Sequence, residues 1–282
     1  MKYTPRQSES NVNVTPTSPL REFFVLTAAL LGIMVGIYFL LGLTVDLVLP
    51  HISMGLENKM ATLFVGSLTG KGADSEREQA VKSLITTMRD RCAHVPYEFK
   101  IHVRTAAAVN AMAMPGGHII VYTGLLDKVT SENELAFVLA HEMGHYAHRD
   151  HLRALGRGLI FMTISASLFG PDSSVSRMLA HALNITELSF SRMQETQADE
   201  FALETVNCLY GHAGGATDFF KKIPRAQDPG TFGHYFASHP ENRRRISRLE
   251  DIMRSKGFKL AERKPLPEGI RRSTHQCFGS CR

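Results

Sequence analysis

The sequence predicts an α+β chain, mostly helical, with a small β-sheet beside one central helix and a single apolar helix in front. Three observations carry this reading. An uncharged run of 23 residues, "FFVLTAALLGIMVGIYFLLGLTV", covers Phe23 to Val45. Several later segments repeat apolar residues at helical spacing, with capping residues ahead of them. Three short β-rich segments gather between residues 97 and 124, around the turn Pro115-Gly116-Gly117. Of the 282 residues, 44% are hydrophobic and 21% charged, which suits a packed core and argues against a disordered chain. The net charge of +5 is too mild to imply nucleic acid, and no nucleic-acid motif is present.

Residues 1–22 are rich in Ser, Thr, Asn and Pro and read as a flexible tail. Residues 23–45 read as a transmembrane anchor, because as a helix they would extend about 34 Å, enough to cross the hydrocarbon core. A cleavable signal would have a shorter apolar region followed by a small-residue cleavage site, and "DLVLPHISM" offers none. Lys2, Arg6 and Arg21 precede the run, while Lys59 is the only such charge in the next twenty residues. The positive-inside rule then puts the N-terminus in the cytoplasm and the remainder beyond the bilayer, which is the periplasm in a Gram-negative cell.

Residues 52–257 form the expected folded domain. A helix over 74–92 buries Val81, Leu84, Ile85 and Met88. Strands are expected at 97–104, 108–115 and 118–124, the last two as a hairpin. Ser131 and Glu134 form a capping box before a helix over 132–149, whose apolar face includes Leu135, Val138 and Leu139. The apolar stretch 158–171 is too short to span a bilayer, and reads as a core helix or as an element dipping into the membrane face. A long helix is expected over 174–209, then a turn and a short helix. A long loop at 224–240 contains His234 and His239. An amphipathic helix over 241–256 carries Ile246, Leu249, Ile252 and Met253 and stops at Gly257. Residues 258–282 read as a loose basic tail. Cys92, Cys208, Cys277 and Cys281 include no CxxC pair, so a zinc knuckle is not expected. Disulfides would require an oxidising compartment, and Cys277 and Cys281 are near enough in sequence to bridge.

The chemistry centres on "LAHEMGHYAH", Leu139 to His148. Residues four apart on a helix share a face, so His141 and His145 can reach one tetrahedral metal at about 2 Å each. Glu142 is turned by about 100° and can approach a water on that metal as a general base. Chance alone places such a motif in a chain of this composition about 3% of the time, so support is needed from elsewhere. A hydrolytic zinc site needs a third protein ligand. Downstream, Glu195 and Asp199 lie four apart among Phe190, Ala198, Phe201 and Ala202. Glu195 can ligate while Asp199 accepts the free imidazole N–H of a ligand histidine.

"HEMGH", then "SRMQETQADEFAL", preceded by "NAMAMPGGHIIVYTGLL" and followed by "SHPENRRRI", resembles the HtpX and CAAX-prenyl-protease family of zinc metallopeptidases over roughly residues 55–256. The resemblance implies a zincin-like domain of the minimal gluzincin type that cleaves protein or peptide substrates with one Zn²⁺ per chain. It implies His141, His145 and Glu195 as ligands, Glu142 as general base, and Asp199 as the aspartate of the E-x-x-A-D pattern. Asn110, Ala111, Met112 and Ala113 match an edge strand that lines the cleft and binds substrate. His239 matches the H-P…R-I pattern with Arg245, and three roles stay open for it: stabilising an oxyanion, occupying the open zinc position in a latent state, or packing at a helix entry. The resemblance further implies quality control of envelope or membrane proteins. Relatives such as HtpX carry membrane hairpins around the site helices, whereas a single anchor here implies a more open cleft. Two rivals fit less well. Peptide deformylases take a cysteine as third ligand, and no suitable motif precedes "HEMGH". A non-catalytic or chaperone-like protein on this scaffold would be expected to have lost part of the motif, and here it is complete.

Overall fold

In the computed structural model, every residue from Glu132 to Tyr146 is buried, on all sides of one helix. The described residues are 18–65, 75–174, 177, 190–223, 235, 239 and 242–271. They contain helices α1 (Pro19–Val48), α2 (Met54–Val65) and α3 (Ser75–Met88), then strands β1 (Lys100–Arg104), β2 (Ala111–Met114) and β3 (His118–Tyr122). After them come α4 (Thr123–Leu126), α5 (Glu132–Ala147), α6 (Asp150–Phe169), α7 (Arg192–Tyr210), α8 (Asp218–Lys222) and α9 (Asn242–Ser255). The buried helix is α5, and the rest of the domain is arranged around it.

The sheet has strand order β1-β3-β2, with β1 parallel and β2 antiparallel to β3. The expected hairpin is therefore present. Its turn needs glycine at Gly116 (φ +78°) and Gly117 (φ +81°), where a Cβ would lie 2.7 Å from Ala61 Cβ and 2.4 Å from the Glu98 carbonyl oxygen respectively. Alternation turns Ile101, Val103, Ala111, Ile119 and Val121 into the main core, beside Leu135, Val138 and Leu139 of α5. On α3, the four residues expected to be buried are buried. On α9, Leu249 and Met253 are buried, with Ile246 and Ile252 packed against the same core.

Several expectations need correction. Ser131 caps α5 by accepting the Glu134 N–H, but the Glu134 carboxylate accepts from Thr130 N and Lys222 Nζ, so the box is not reciprocal. The reciprocal box is at α7, between Ser191 and Gln194. Phe190 and Ser191 are not helical, which breaks the expected helix over 174–209. Most of residues 175–189 lie outside the described part, as does the 224–240 loop apart from Tyr235 and His239. The segment after Gly257 is no loose tail as far as residue 271. Lys264 N donates to Asn133 Oδ1, Ala213 N to the Lys259 carbonyl, and Ile270 is buried. The 158–171 stretch is not a core helix but the outer half of α6, with Leu168 and Phe169 about half exposed.

Helix α2, unforeseen in the sequence, is fixed by one buried carboxylate. Glu57 accepts from Tyr97 Oη, Gly116 N and His151 Nε2, each at 2.9 Å. Burial would raise its pKa, but His151 and Gly116 outweigh that and hold it below the usual carboxylate value. Cys92 and Cys208 form a disulfide that ties the turn after α3 to the end of α7, across 116 residues. Cys277 and Cys281, near enough in sequence to bridge, lie outside the described residues. Cross-links over loops of this size stabilise mainly by restricting the unfolded chain. Cys208→Ser should therefore lower the unfolding free energy by about 2–4 kcal/mol in a urea titration. An unchanged midpoint would show that the folded protein does not carry the cross-link.

Candidate metal centre and active site

Three helices deliver the site. Helix α5 carries His141, Glu142 and His145, and α7 carries Glu195 and Asp199. Arg245 comes from α9, and His239 stands just before it. The first two helices meet at Gly144, where a Cβ would sit 2.9 Å from Ala198 Cα. That approach brings Glu195 against both histidines.

One donor atom from each of His141, His145, Glu195 and His239 lies within 4.8 Å of all the others. His141 Nε2 is 3.2 Å from His145 Nε2 and 3.3 Å from His239 Nδ1. Glu195 is 3.6 Å from His141, 3.5 Å from His145 and 2.8 Å from His239. Ligands at zinc–nitrogen distances in a tetrahedron stand about 3.3 Å apart, so this spacing fits one small cation. The far nitrogen of each motif histidine is held by a carboxylate: His141 Nδ1 by Asp199 at 3.0 Å, and His145 Nδ1 by Asp150 at 3.0 Å. Both Nε2 atoms are thereby turned to the common centre.

These carboxylates are themselves held. Arg245 pairs with Asp199 through Nε (2.8 Å) and Nη2 (2.7 Å), and its Nη1 lies 2.6 Å from Glu195 Oε2. Its guanidinium rests on the Phe220 ring, 4.5 Å from the centroid. Asp150 accepts from Gln194 Nε2 and Arg153 Nη1. Phe190 stacks on His145 at 3.8 Å, and Tyr235 on His239 at 4.9 Å.

Burial sets the electrostatics. His141, Glu142, His145, Glu195 and His239 are each 2% exposed or less. Burial, with help from Arg245, pushes the His141 imidazole down to about 4. Burial would also lower His145, but Asp150 and Glu195 outweigh it and hold that ring at about 9. Glu195 would be raised by burial, yet His239 and His141 drive it far below the carboxylate range. Asp199 is lowered in the same way, by Arg245 and His141 against its burial. Glu142 goes the other way: burial raises it, opposed by His239 and His145. Its Oε2 and that of Glu195 are buried without a directed hydrogen bond. Glu195 Oε2 faces the Arg245 guanidinium, so the open oxygen beside the clustered donors is that of Glu142, and a nitrogen- and carboxylate-lined centre of this kind suits a divalent cation.

The structure thus gathers every ligand expected from the sequence, together with Glu142 and Asp199, around one point. His239 joins as a fourth donor. The segment Asn110–Ala113 lies close by, with the Ala113 N–H donating to Glu142. Asn110, Ala111 and Met112 are buried and Ala113 is half-buried. His148 stays outside, its Nδ1 on the Gly144 carbonyl at the helix end. Sequence reasoning missed Asp150 and Gln194. In the sequence Asp150 reads as an ordinary acid at a helix start; only the break at Arg149 (φ +57°) brings it back to His145.

A family model described as "Peptidase family M48" matches residues 75–253. The chain is 29% identical to metalloprotease LoiP of Escherichia coli (strain K12) over 194 residues, 66% of this chain and 75% of LoiP. It is 28% identical to metalloprotease YcaL of the same organism over 57% of this chain and 63% of YcaL. The mitochondrial metalloendopeptidase OMA1 of Schizosaccharomyces pombe is 28% identical over 64% of this chain, and the match spans 51% of OMA1.

Asp150→Asn should weaken divalent-metal binding about 10–100-fold, because it loses the charge that orients His145. Competition against a chromophoric chelator measures this. Undiminished affinity would leave Asp150 a packing residue only.

Proposed function

The chain belongs to peptidase family M48 and is a metalloendopeptidase; on that footing we propose that it is a membrane-anchored zinc enzyme of envelope or membrane protein quality control, with a zincin-like domain of the gluzincin type. The observation that carries this is the convergence of His141, His145 and Glu195 on one point, with the Glu142 carboxylate alongside. These three would hold the ion, and Asp150 and Asp199 would orient the two imidazoles. Bound zinc would supply Lewis acidity to the scissile carbonyl and acidify water.

Glu142 takes the proton of the attacking water and hands it to the leaving amine. Burial raises its pKa above the usual carboxylate value, which makes it a stronger base. Strand β2 lies at the end of the sheet order, and an extended substrate would reach Asn110 to Ala113 by strand addition only when this covered edge opens. The substrates are proteins or peptides. Residues 23–45 hold the enzyme in the bilayer, with the N-terminus cytoplasmic by its flanking charges. The Cys92–Cys208 disulfide supports an oxidising compartment for the catalytic domain.

For His239, the geometry favours one of the open roles. Its Nδ1 is within ligand distance of His141 and Glu195, at the fourth corner of the cluster. With the burial of the whole centre, this supports a resting form in which His239 fills the position that substrate chemistry needs.

Glu142→Gln should keep full zinc content and lower peptide hydrolysis about 10²–10⁴-fold. Retained turnover would remove Glu142 as the base. His239→Ala should raise basal cleavage of an unfolded protein such as casein at unchanged zinc content. A fall in turnover would instead assign His239 to oxyanion stabilisation.

A further inference from the structure

Among the described residues, two helices have the length and hydropathy of a membrane span, and they are joined side by side. The first is α1 with the turn after it, none of whose most apolar window is buried; the second is α6. Their contact is specific. Asp46, at the end of α1, pairs with Arg153 Nε at 2.7 Å and Arg157 Nη2 at 3.6 Å. Arg149, just before α6, donates to the Leu49 and Ile52 carbonyls at 2.6 and 2.7 Å. Gly156 lies against Val45, and Leu41 and Ile160 line one apolar groove with them.

The helices therefore run antiparallel. Beyond Arg157, α6 turns back along the apolar run Phe23–Val45, with Leu159 and Ile160 sharing a groove with Leu41, Thr44 and Val45. From Gly158 to Phe169 there is no charged residue. Leu159, Met162, Leu168 and Phe169 are exposed there. The two exposed hydroxyls return their protons to the helix, Thr163 to the Leu159 carbonyl and Ser167 to the Thr163 carbonyl, each at 2.8 Å. Neither brings an unmet donor to an apolar solvent.

We infer that the outer half of α6 is a second lipid-contacting surface, entering the leaflet on the catalytic side beside α1 without crossing the bilayer. The inference rests on the reading of α1 as a membrane anchor. Gly158 to Phe169 extends about 18 Å, whereas a crossing needs about 30 Å. Asp46, Arg153 and Arg157 form the polar belt at the membrane surface. Arg153 of that belt donates to Asp150, the carboxylate that orients His145, so the metal centre adjoins the belt. The substrates are then polypeptide segments close to the bilayer, a narrower class than soluble proteins at large.

The chain has no tryptophan, so one introduced indole reports its own surroundings. Leu168→Trp, Leu31→Trp and Leu260→Trp each replace an exposed leucine, on α6, on α1 and in the segment after α9. The full chain is reconstituted into phosphatidylcholine–phosphatidylglycerol vesicles, with proteolysis confirming each fold. Brominated acyl chains and aqueous acrylamide serve as quenchers. At positions 168 and 31 the bromolipid should quench strongly and acrylamide weakly, with the reverse at 260. Acrylamide quenching at 168 with lipid quenching at 31 overturns the inference and leaves the anchor standing. Protection of 168 from both quenchers also overturns it, in favour of a protein partner such as a second copy. Aqueous quenching at 31 overturns the anchor reading and this inference together.

Discussion

The close crossing of α5 and α7 at Gly144 and Ala198 is the constraint on which the rest of the molecule depends. In each helix the first ligand precedes the contact residue by three positions, His141 before Gly144 and Glu195 before Ala198. That offset is close to one helical turn, so both ligands rise on the same side of the crossing. Any side chain at Gly144 would meet α7 main chain and push the helices apart. The sheet, α3 and the segment after α9 all bury apolar surface against α5, which fixes the helix that α7 must approach.

The crossing also creates an electrostatic problem. Four carboxylates, Glu142, Asp150, Glu195 and Asp199, stand in a region with little water, and burying charge is costly unless it is paired. The chain answers with layered pairing. Each motif histidine gives its far nitrogen to an aspartate, and each aspartate leans on an arginine. Arg245 serves Asp199 and Glu195 at once while lying on Phe220. A planar, forked cation can do this and a lysine ammonium cannot, so the two are not interchangeable here.

Much of this was legible in the sequence because its signals are local. The buried faces of α3 and α9, the hairpin around Gly116-Gly117 and the spacing of the candidate ligands His141, His145 and Glu195, with Asp199 one turn beyond, all follow from helical or strand periodicity. What was missed depends on tertiary contact. Nothing periodic marks α2, whose place is set by one Glu57 carboxylate reaching three distant groups. Asp150 looks like an ordinary helix-start acid until α5 and α6 are seen to share it. The stretch 158–171 stayed open between a core helix and a membrane-dipping element because apolar composition is the same for both. Only its neighbours distinguish the two, and its neighbour is α1.

The closure of the metal centre has a kinetic consequence. With every donor side chain buried to 2% or less, an ion cannot pass between site and solvent while the structure keeps this form. Exchange must wait for a local opening, as amide hydrogen exchange does. The residence time of the ion is then set by how often the domain opens, and only secondarily by the strength of its ligands. A strong chelator added to the folded enzyme would remove metal at a rate that stops rising with chelator concentration. On such a scaffold, affinity and exchange rate can evolve separately, the first through the ligand carboxylates and histidines, the second through whatever holds the domain shut.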